Sequence, residues 1–435
     1  TQATAQSGLP EACLSDNPYF ATSNYVRGET FDGEPGIWAF NDTPDDSGHH
    51  QLATFGEVGA TYGIAYDPAK DVLYAGAFHK RNSRYGPLGP GGVYEVQVNA
   101  GGVRPFVTVP NAGINLHDPE NNYHPDERSR AYAGKTSLGD LDMNEQGTEL
   151  FVMNLNDRQI YRYALPDGRR IGTLPTGGKG ASWSRDARPF GLKVQDGWVY
   201  HAVINSSETR QSVPNLSVHV YASRPDGTGL REVAQAFMGY DRPGNHEDWH
   251  PWPEEDDMGW RMADYPHPMP TDIEFTAAGD MILGIRDRYM DTGPTITEVY
   301  RRAAGDILLL KKTGAMAWTF DPNAPEHFTG DGLAGVWDET AIGGLARLFT
   351  RDVVVTTAID PFRTYSPQGR GSLPISAGAI WLDDATGEDL SALGPGRGRE
   401  ELIYNGRQHE GPQGKALGLG DLELICYVPP TPTPT

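Results

Sequence analysis

The stretch "LGDLDMNEQGTELFVMNL", residues 138–155, joins two short apolar runs through a polar turn. Asn and Gly in the turn are the residues a tight antiparallel hairpin requires. The unit recurs as "YGIAYDPAKDVLYAGA" (62–77), "PFGLKVQDGWVYHAVI" (189–204) and "PTDIEFTAAGDMILGI" (270–285), and more weakly as "GGLARLFTRDVVVTTA" (343–358). A sixth copy starts at "LGLGDLELIC" (417–426) and runs out of chain.

A third strand follows each complete pair: "GGVYEV", "RQIYRYA", "SVHVYA", "DILLL" and "GAIWL". A fourth usually comes next: "VRPFVTV", "RIGTLPT", "LREVAQAF" and "AMAWTF". Four antiparallel strands per unit, repeated radially, make a β-propeller. The expected fold is all-β with six blades, seven being the alternative count, in a single domain over residues 1–428. The strands missing from the sixth unit are supplied by "NPYFATSNY", "GIWAF" and "HQLATF" near the N-terminus. The two chain ends therefore share one blade and close the ring. The only two cysteines, Cys13 and Cys426, become neighbours at that seam, and a disulfide between them fits an oxidising compartment.

Composition agrees. Acidic residues number 58 and basic ones 36, a net charge of −22, which repels phosphate backbones and anionic lipid. Nucleic acid is not an expected partner, and no apolar run is long enough for membrane insertion. The polar start "TQATAQSGLP" reads as a mature N-terminus. The Pro-Thr run of residues 429–435 reads as an extended linker or the start of a stalk. Both point outside the cell. Sequons at Asn41, Asn205 and Asn215 carry glycan only if the organism glycosylates asparagine.

Strand direction alternates within a blade, so loops entering the first strand share a face with loops joining the second strand to the third. That face carries the long insertions, including residues 79–92, 109–137, 205–217, 238–270 and 357–377. The opposite face carries short turns such as "NEQG" and "QDG". Long loops on a rigid scaffold are where binding concentrates. Aligned inner strands read Gly63, Asp140, Gly191, Asp272, Gly344 and Asp421, with Ala65, Asp142, Lys193, Glu274, Ala346 and Glu423 two residues on. Three carboxylates converging on a channel repel one another unless they are protonated, hydrogen-bonded or neutralised. Two arrangements follow. Asp140, Asp272 and Asp421 ligate a hard cation such as Ca²⁺, or each accepts backbone N–H bonds from its neighbour, the commoner state of a buried carboxylate.

"HEDWH", residues 246–250, spells the H-E-x-x-H of zinc peptidases. Pro251 and Pro253 forbid the helix that would put both His on one face, so no zinc is expected at His246 and His250. His267, Asp256 and Glu255 are the nearest further ligand types. The same loop holds Trp249, Trp252, Trp260 and Tyr265 among acidic residues. These rings form either a carbohydrate platform or a lid packed on the rim. Arg84, Arg158, Arg210, Arg286 and Arg288 cluster at second-strand ends, where salt-bridging, with the channel-mouth carboxylates as partners, is the default and gripping an anionic sugar the alternative. Trp249, Trp252, Trp260 and Arg288 are the expected ligand contacts. No G-x-S-x-G elbow or phosphate loop is present in the required frame.

The stretches "LGDLDMNEQGTELFVMNLNDRQIYRY", "RPFGLKVQDGWVYHAVI", "PTDIEFTAAGDMILGIRDRYMDTG" and "LGLGDLELIC" resemble the propeller-like head region of large bacterial surface proteins. In many members, B-type immunoglobulin-like modules of the serine-aspartate-repeat kind follow that head. The resemblance covers the chain from about Tyr62 onward and implies display on a cell surface and adhesion. It supplies no catalytic residues, and the Pro-Thr tail departs from the family pattern. The leading expectation is a secreted or surface-displayed binding head for a carbohydrate or a surface protein. The alternatives are a lactonase-like hydrolase or lyase around a central cation, and a self-associating subunit of a filament or sheath. An open channel with a cation and a free His or carboxylate favours the enzyme; a plugged channel favours the binder.

Overall fold

A computed structural model of the chain describes residues 9–28, 31–43, 48–119, 126–242, 248–254, 266–292, 305–329, 339–348, 350–359, 376–390, 400–405 and 418–430. His246, Glu255, Asp256, Trp260, Tyr265 and residues 431–435 lie outside them.

Six antiparallel four-stranded sheets form a ring. In the closing blade, β1 (Tyr19–Asn24), β2 (Pro35–Phe40) and β3 (His50–Thr54) follow the chain's last strand, β24 (Leu419–Ile425). The next blade is β4 (Thr61–Asp67), β5 (Val72–Ala77), β6 (Gly92–Gln97) and β7 (Val103–Thr108). Then come β8 (Leu138–Met143), β9 (Glu149–Asn154), β10 (Gln159–Ala164) and β11 (Arg170–Pro175). The fourth blade is β12 (Ala187–Gln195), β13 (Trp198–Asn205), β14 (Ser217–Ser223) and β15 (Arg231–Phe237). The fifth is β16 (Pro268–Phe275), β17 (Met281–Asp287), β18 (Asp306–Gly314) and β19 (Ala317–Thr319). The last is β20 (Ala341–Arg347), β21 (Val353–Ile359), β22 (Ser376–Asp383) and β23 (Glu400–Asn405). The innermost strands touch in the cyclic order β24, β4, β8, β12, β16, β20 and back to β24. The fold is thus a six-bladed β-propeller, as the repeat implies.

Apolar side chains of each sheet face its neighbours. Trp381 of β22 meets Phe20 and Phe40 of the closing blade edge-on, at 5.8 and 6.5 Å between ring centres. Tyr62 and Phe78 of the second blade meet Phe190 of the fourth near the channel. Edge-to-face contacts of this kind add to the burial of large rings. One turn on the short-loop face departs from expectation. The connection from β22 to β23, residues 384–399, is as long as many on the opposite face. No described helix is long and apolar enough to cross a membrane.

At the seam β1 pairs antiparallel with β24, in register from Tyr19 opposite Ile425 to Thr22 opposite Leu422. Cys13, in a 3₁₀ turn ahead of β1, is disulfide-bonded to Cys426, with Cα atoms 4.5 Å apart. The bond spans 413 residues. Tyr427 continues past it against Tyr19 and His50. Replacing Cys13 and Cys426 together by Ser is expected to lower unfolding free energy by about 2–5 kcal/mol. Limited proteolysis should then release N-terminal fragments first. Unchanged urea midpoints and cleavage patterns would show that strand pairing alone seals the ring.

Candidate functional site

All six inner strands slip register at the same level: around Gly63, Asp140, Gly191, Gly344 and Asp421, and at Asp272. Such bulges leave backbone donors unpaired. The three aspartates absorb them. Asp140 accepts the N–H of Leu141 and, across the blade boundary, that of Leu192, both at 2.8 Å. Asp272 accepts from Ile273 (2.6 Å) and Leu345 (2.7 Å). Asp421 accepts from Leu422 (2.8 Å) and Ile64 (3.2 Å). Each donor across a boundary follows one of the three glycines. Those glycines have a second duty. A Cβ on Gly63 would lie 2.6 Å from the Asp140 Cα, on Gly191 2.9 Å from the Asp272 nitrogen, and on Gly344 2.9 Å from the Asp421 Cα. Gly lets the next aspartate strand approach; Asp reaches the following glycine strand.

The carboxylates are almost wholly buried. Burial, then mutual repulsion, pushes Asp140, Asp272 and Asp421 well above the usual carboxylate range. After burial, the largest push on Asp272 is the charge of Asp421, and on Asp421 that of Asp140. Toward the short-loop face, Asp142 repeats the pattern, accepting from Met143 and Val194 at 2.7 Å. Burial pushes Asp142 up to about 6. Lys193 sits 2.7 Å from Glu274; burial alone would lower its amine, but Glu274, Asp142 and Glu423 outweigh that and raise it.

At the long-loop end the channel is filled. Arg286, at the end of β17, makes a two-pronged pair with Asp291 at 2.8 and 2.9 Å and donates Nη1 to the carbonyls of Ile342 and Leu419, both 2.9 Å. Lys80 reaches the same carboxylate at 2.9 Å from another blade. Tyr25 and Tyr62 lie under the Arg286 guanidinium. All five side chains are fully buried. Burial alone would raise Asp291, but Arg286 and Lys80 hold it below the usual range. Arg286 therefore pairs with a loop residue and not with the channel-mouth carboxylates.

The other expected contacts are also placed inside. Trp249 and Trp252 are fully buried, donating Nε1 to the Tyr240 hydroxyl (3.0 Å) and the Pro268 carbonyl (2.9 Å). Arg242 and Arg288 cover them at 4.0 and 4.6 Å. Arg288 donates to the carbonyls of Ala133 and Ala131. These three residues, expected at a ligand surface, here pack the rim, because rings and guanidinium satisfy one another and nearby carbonyls. His267 is buried and its imidazole pushed well down by burial, then by Arg288. Trp260 lies outside the described residues.

Two assemblies were not read from the sequence, although Arg158 of the second was named there. Asp306, Glu326 and Glu339 place carboxylate oxygens within 4.8 Å of one another, a spacing that Asp140, Asp272 and Asp421 do not meet. Tyr240 donates to Asp306, and Arg242 lies nearby. Burial, then Asp306, pushes Glu326 up to about 7, against a lowering pull from Arg242. The second feature is a pair of cavities on the long-loop face, of about 630 and 300 Å³, that share Arg158 and Arg188 as walls.

A closed ring, an interlocked core and an ion-pair plug define the chain as a β-propeller whose channel is filled at its long-loop end. No family model matches it. Among curated proteins it is similar to Colossin-C of Dictyostelium discoideum, 22% identical over 450 residues covering 93% of this chain, and to Colossin-D of the same organism, 25% identical over 415 residues covering 86%. It spans 43% and 41% of those two proteins, less than half of either. A chain of a nidogen/laminin complex shares 10% identity and a TM-score of 0.42, covering 94% of this chain and 100% of its own.

Two predictions follow from the channel. Gly191→Ala forces a Cβ onto backbone and should cost about 1–3 kcal/mol. Asp140→Ala orphans two buried donors at about 1–3 kcal/mol each. Urea midpoints of both variants test this, and a wild-type midpoint in either would refute the interlock. The second concerns pH. A raised carboxyl stabilises the fold fully below its unfolded pKa of 3.8, and that stability is lost as pH rises through about 6 for Asp142. The melting temperature should therefore be higher at pH 5 than at pH 8. Overall negative charge pushes the same way, so the decisive comparison is Asp142→Asn, in which the pH difference should shrink.

Proposed function

We propose that this propeller is an extracellular binding head that acts through its long-loop face and does no chemistry in its central channel. The carrying observation is the plug: Arg286, Asp291, Lys80, Tyr25 and Tyr62 fill the channel mouth on that face with no exposed side-chain surface. Below it, the oxygens of Asp140, Asp272 and Asp421 are engaged by backbone donors. A lactonase-like site around a central cation needs both access and free oxygens there. The disulfide supports an oxidising compartment. The resemblance to bacterial surface heads supports display on a cell and a carbohydrate or surface protein as ligand.

A glycan and surface-protein array, run alongside lactone and ester substrates with Ca²⁺ or with chelator, tests the reading. Saturable binding is expected, lost on altering long-loop residues and kept on altering the short turns, with no turnover. Hydrolysis of any substrate that depends on added Ca²⁺ and on Asp272 would overturn it.

A further inference from the structure

The chain carries 22 more negative than positive charges, yet the two cavities on the long-loop face are walled by cations. Arg158, Arg185, Arg188 and Lys135 line them; among the described residues Glu208 and Glu254 are the only carboxylates in either wall. Lys135, Arg158 and Arg185 come from three separate connections and Arg188 from the start of β12.

The local charges are not balanced within the protein. Glu208 is consumed by Arg188, 2.5 Å away, and by Lys135. Arg188 still has a buried Nε without a hydrogen-bond partner among the described residues. Arg158 donates Nη1 to the Ser184 and Arg185 carbonyls and has no carboxylate partner among the described residues. Arg185 is exposed and likewise makes no ion pair among them. Burial, then Arg188, lowers Arg158 to about 10, and burial, then Arg288, lowers Lys135 to about 8. Crowded, desolvated cations are relieved by an anion. The net acidity of the chain does not cancel this, because at physiological salt a surface charge is screened beyond about 8 Å.

The remaining lining selects among anions. Ser184, Thr209, Thr136 and Asn156 also line them; Thr209, Thr136 and Asn156 donate inward to Asp186, Ala112 and Asn111, which leaves their oxygens as acceptors for sugar hydroxyls. Ile114, strongly exposed, offers an apolar edge at the rim of the smaller cavity. Guanidinium forks for planar anions, hydroxyls for hydroxyls and one apolar edge together match an acidic sugar. The volumes fall in the range of about 300–1,000 Å³ typical of small-ligand sites.

We infer that the joined cavities around Arg158, Arg185, Arg188 and Lys135 bind an oligosaccharide bearing carboxylate or sulfate groups. This rests on the binding-head reading and names the ligand class. The test is calorimetric titration of the full chain with trigalacturonate, a sulfated trisaccharide and neutral maltotriose, at low and high salt. Saturable binding of at least one acidic sugar is expected, weakening at high salt. It should fall tenfold or more in Arg158→Gln/Arg185→Ala, whose melting temperature certifies folding. Arg185→Ala alone, at an exposed position, should lose several-fold. Equal binding of maltotriose, no loss in the variants, or no binding of either acidic sugar overturns the assignment. Binding of a neutral glycan or a protein elsewhere on the long-loop face would overturn the acidic-sugar assignment and leave the binding head standing. Turnover of a substrate in the channel would instead remove the head reading itself.

Discussion

The fold depends on an exchange between neighbouring inner strands. Each of three strands gives up a side chain so that the next can come close, and each of the other three lends a carboxylate to the strand beyond. Gly63, Gly191 and Gly344 have their missing Cβ pressed against the backbone of Asp140, Asp272 and Asp421. The carboxylates then collect the donors that the bulges leave unpaired. Six strands at the narrowest point of a propeller cannot all carry side chains inward, nor leave six buried N–H groups without acceptors. Alternating Gly and Asp solves both problems with one residue each. Burying three carboxylates costs free energy, which the backbone donors offset.

That arrangement decides where function can lie. A carboxylate that already accepts two N–H bonds has little left for a substrate, and the Arg286–Asp291–Lys80 pairing closes the approach from the elaborated face. A buried ion pair of this kind contributes less to stability than to fixing one arrangement, since desolvation consumes most of its Coulomb energy. Here it ties together the carbonyls of Ile342 and Leu419 and a lysine from a third blade. The centre is thus rigid and occupied. Accessible polar groups in excess of internal partners occur instead at the rim, around Arg158 and Arg185.

Blade number, strand order and the shared seam were legible because period-two apolar runs and turn residues report local structure directly. The Gly/Asp alternation was legible as a pattern, and its backbone-acceptor meaning was one of the two readings it allowed. Trp249 and Trp252 were harder to place. An aromatic loop rich in acids has one appearance whether its rings face solvent or the rim, and only the Tyr240 and Pro268 acceptors decide between the two. Arg286 looked like a partner for the channel mouth, but the chain turns back within five residues and brings Asp291 to it. Of the cationic cavity only Arg158 was legible, as one of the arginines able to grip an anionic sugar; Lys135, Arg188 and Glu208 lie far from it in sequence or on another blade, and their proximity is a property of the ring.

The seam shows how far the interlock alone can carry closure. Asp421 accepts the N–H of Ile64 as Asp140 accepts that of Leu192, and Gly344 packs on Asp421 as Gly63 packs on Asp140. At the level of the channel, then, the closing blade matches the other five. What it lacks is the short turn that elsewhere ties first strand to second. In β8 and β9 five residues make that link; between β24 and β1 the chain is open. Strand pairing at such a point can fray from either end at little cost in loop entropy, because nothing returns the strands to register. Cys13 and Cys426 stand where that turn would be, so the disulfide substitutes for a hairpin connection and makes the sixth blade as continuous as its neighbours.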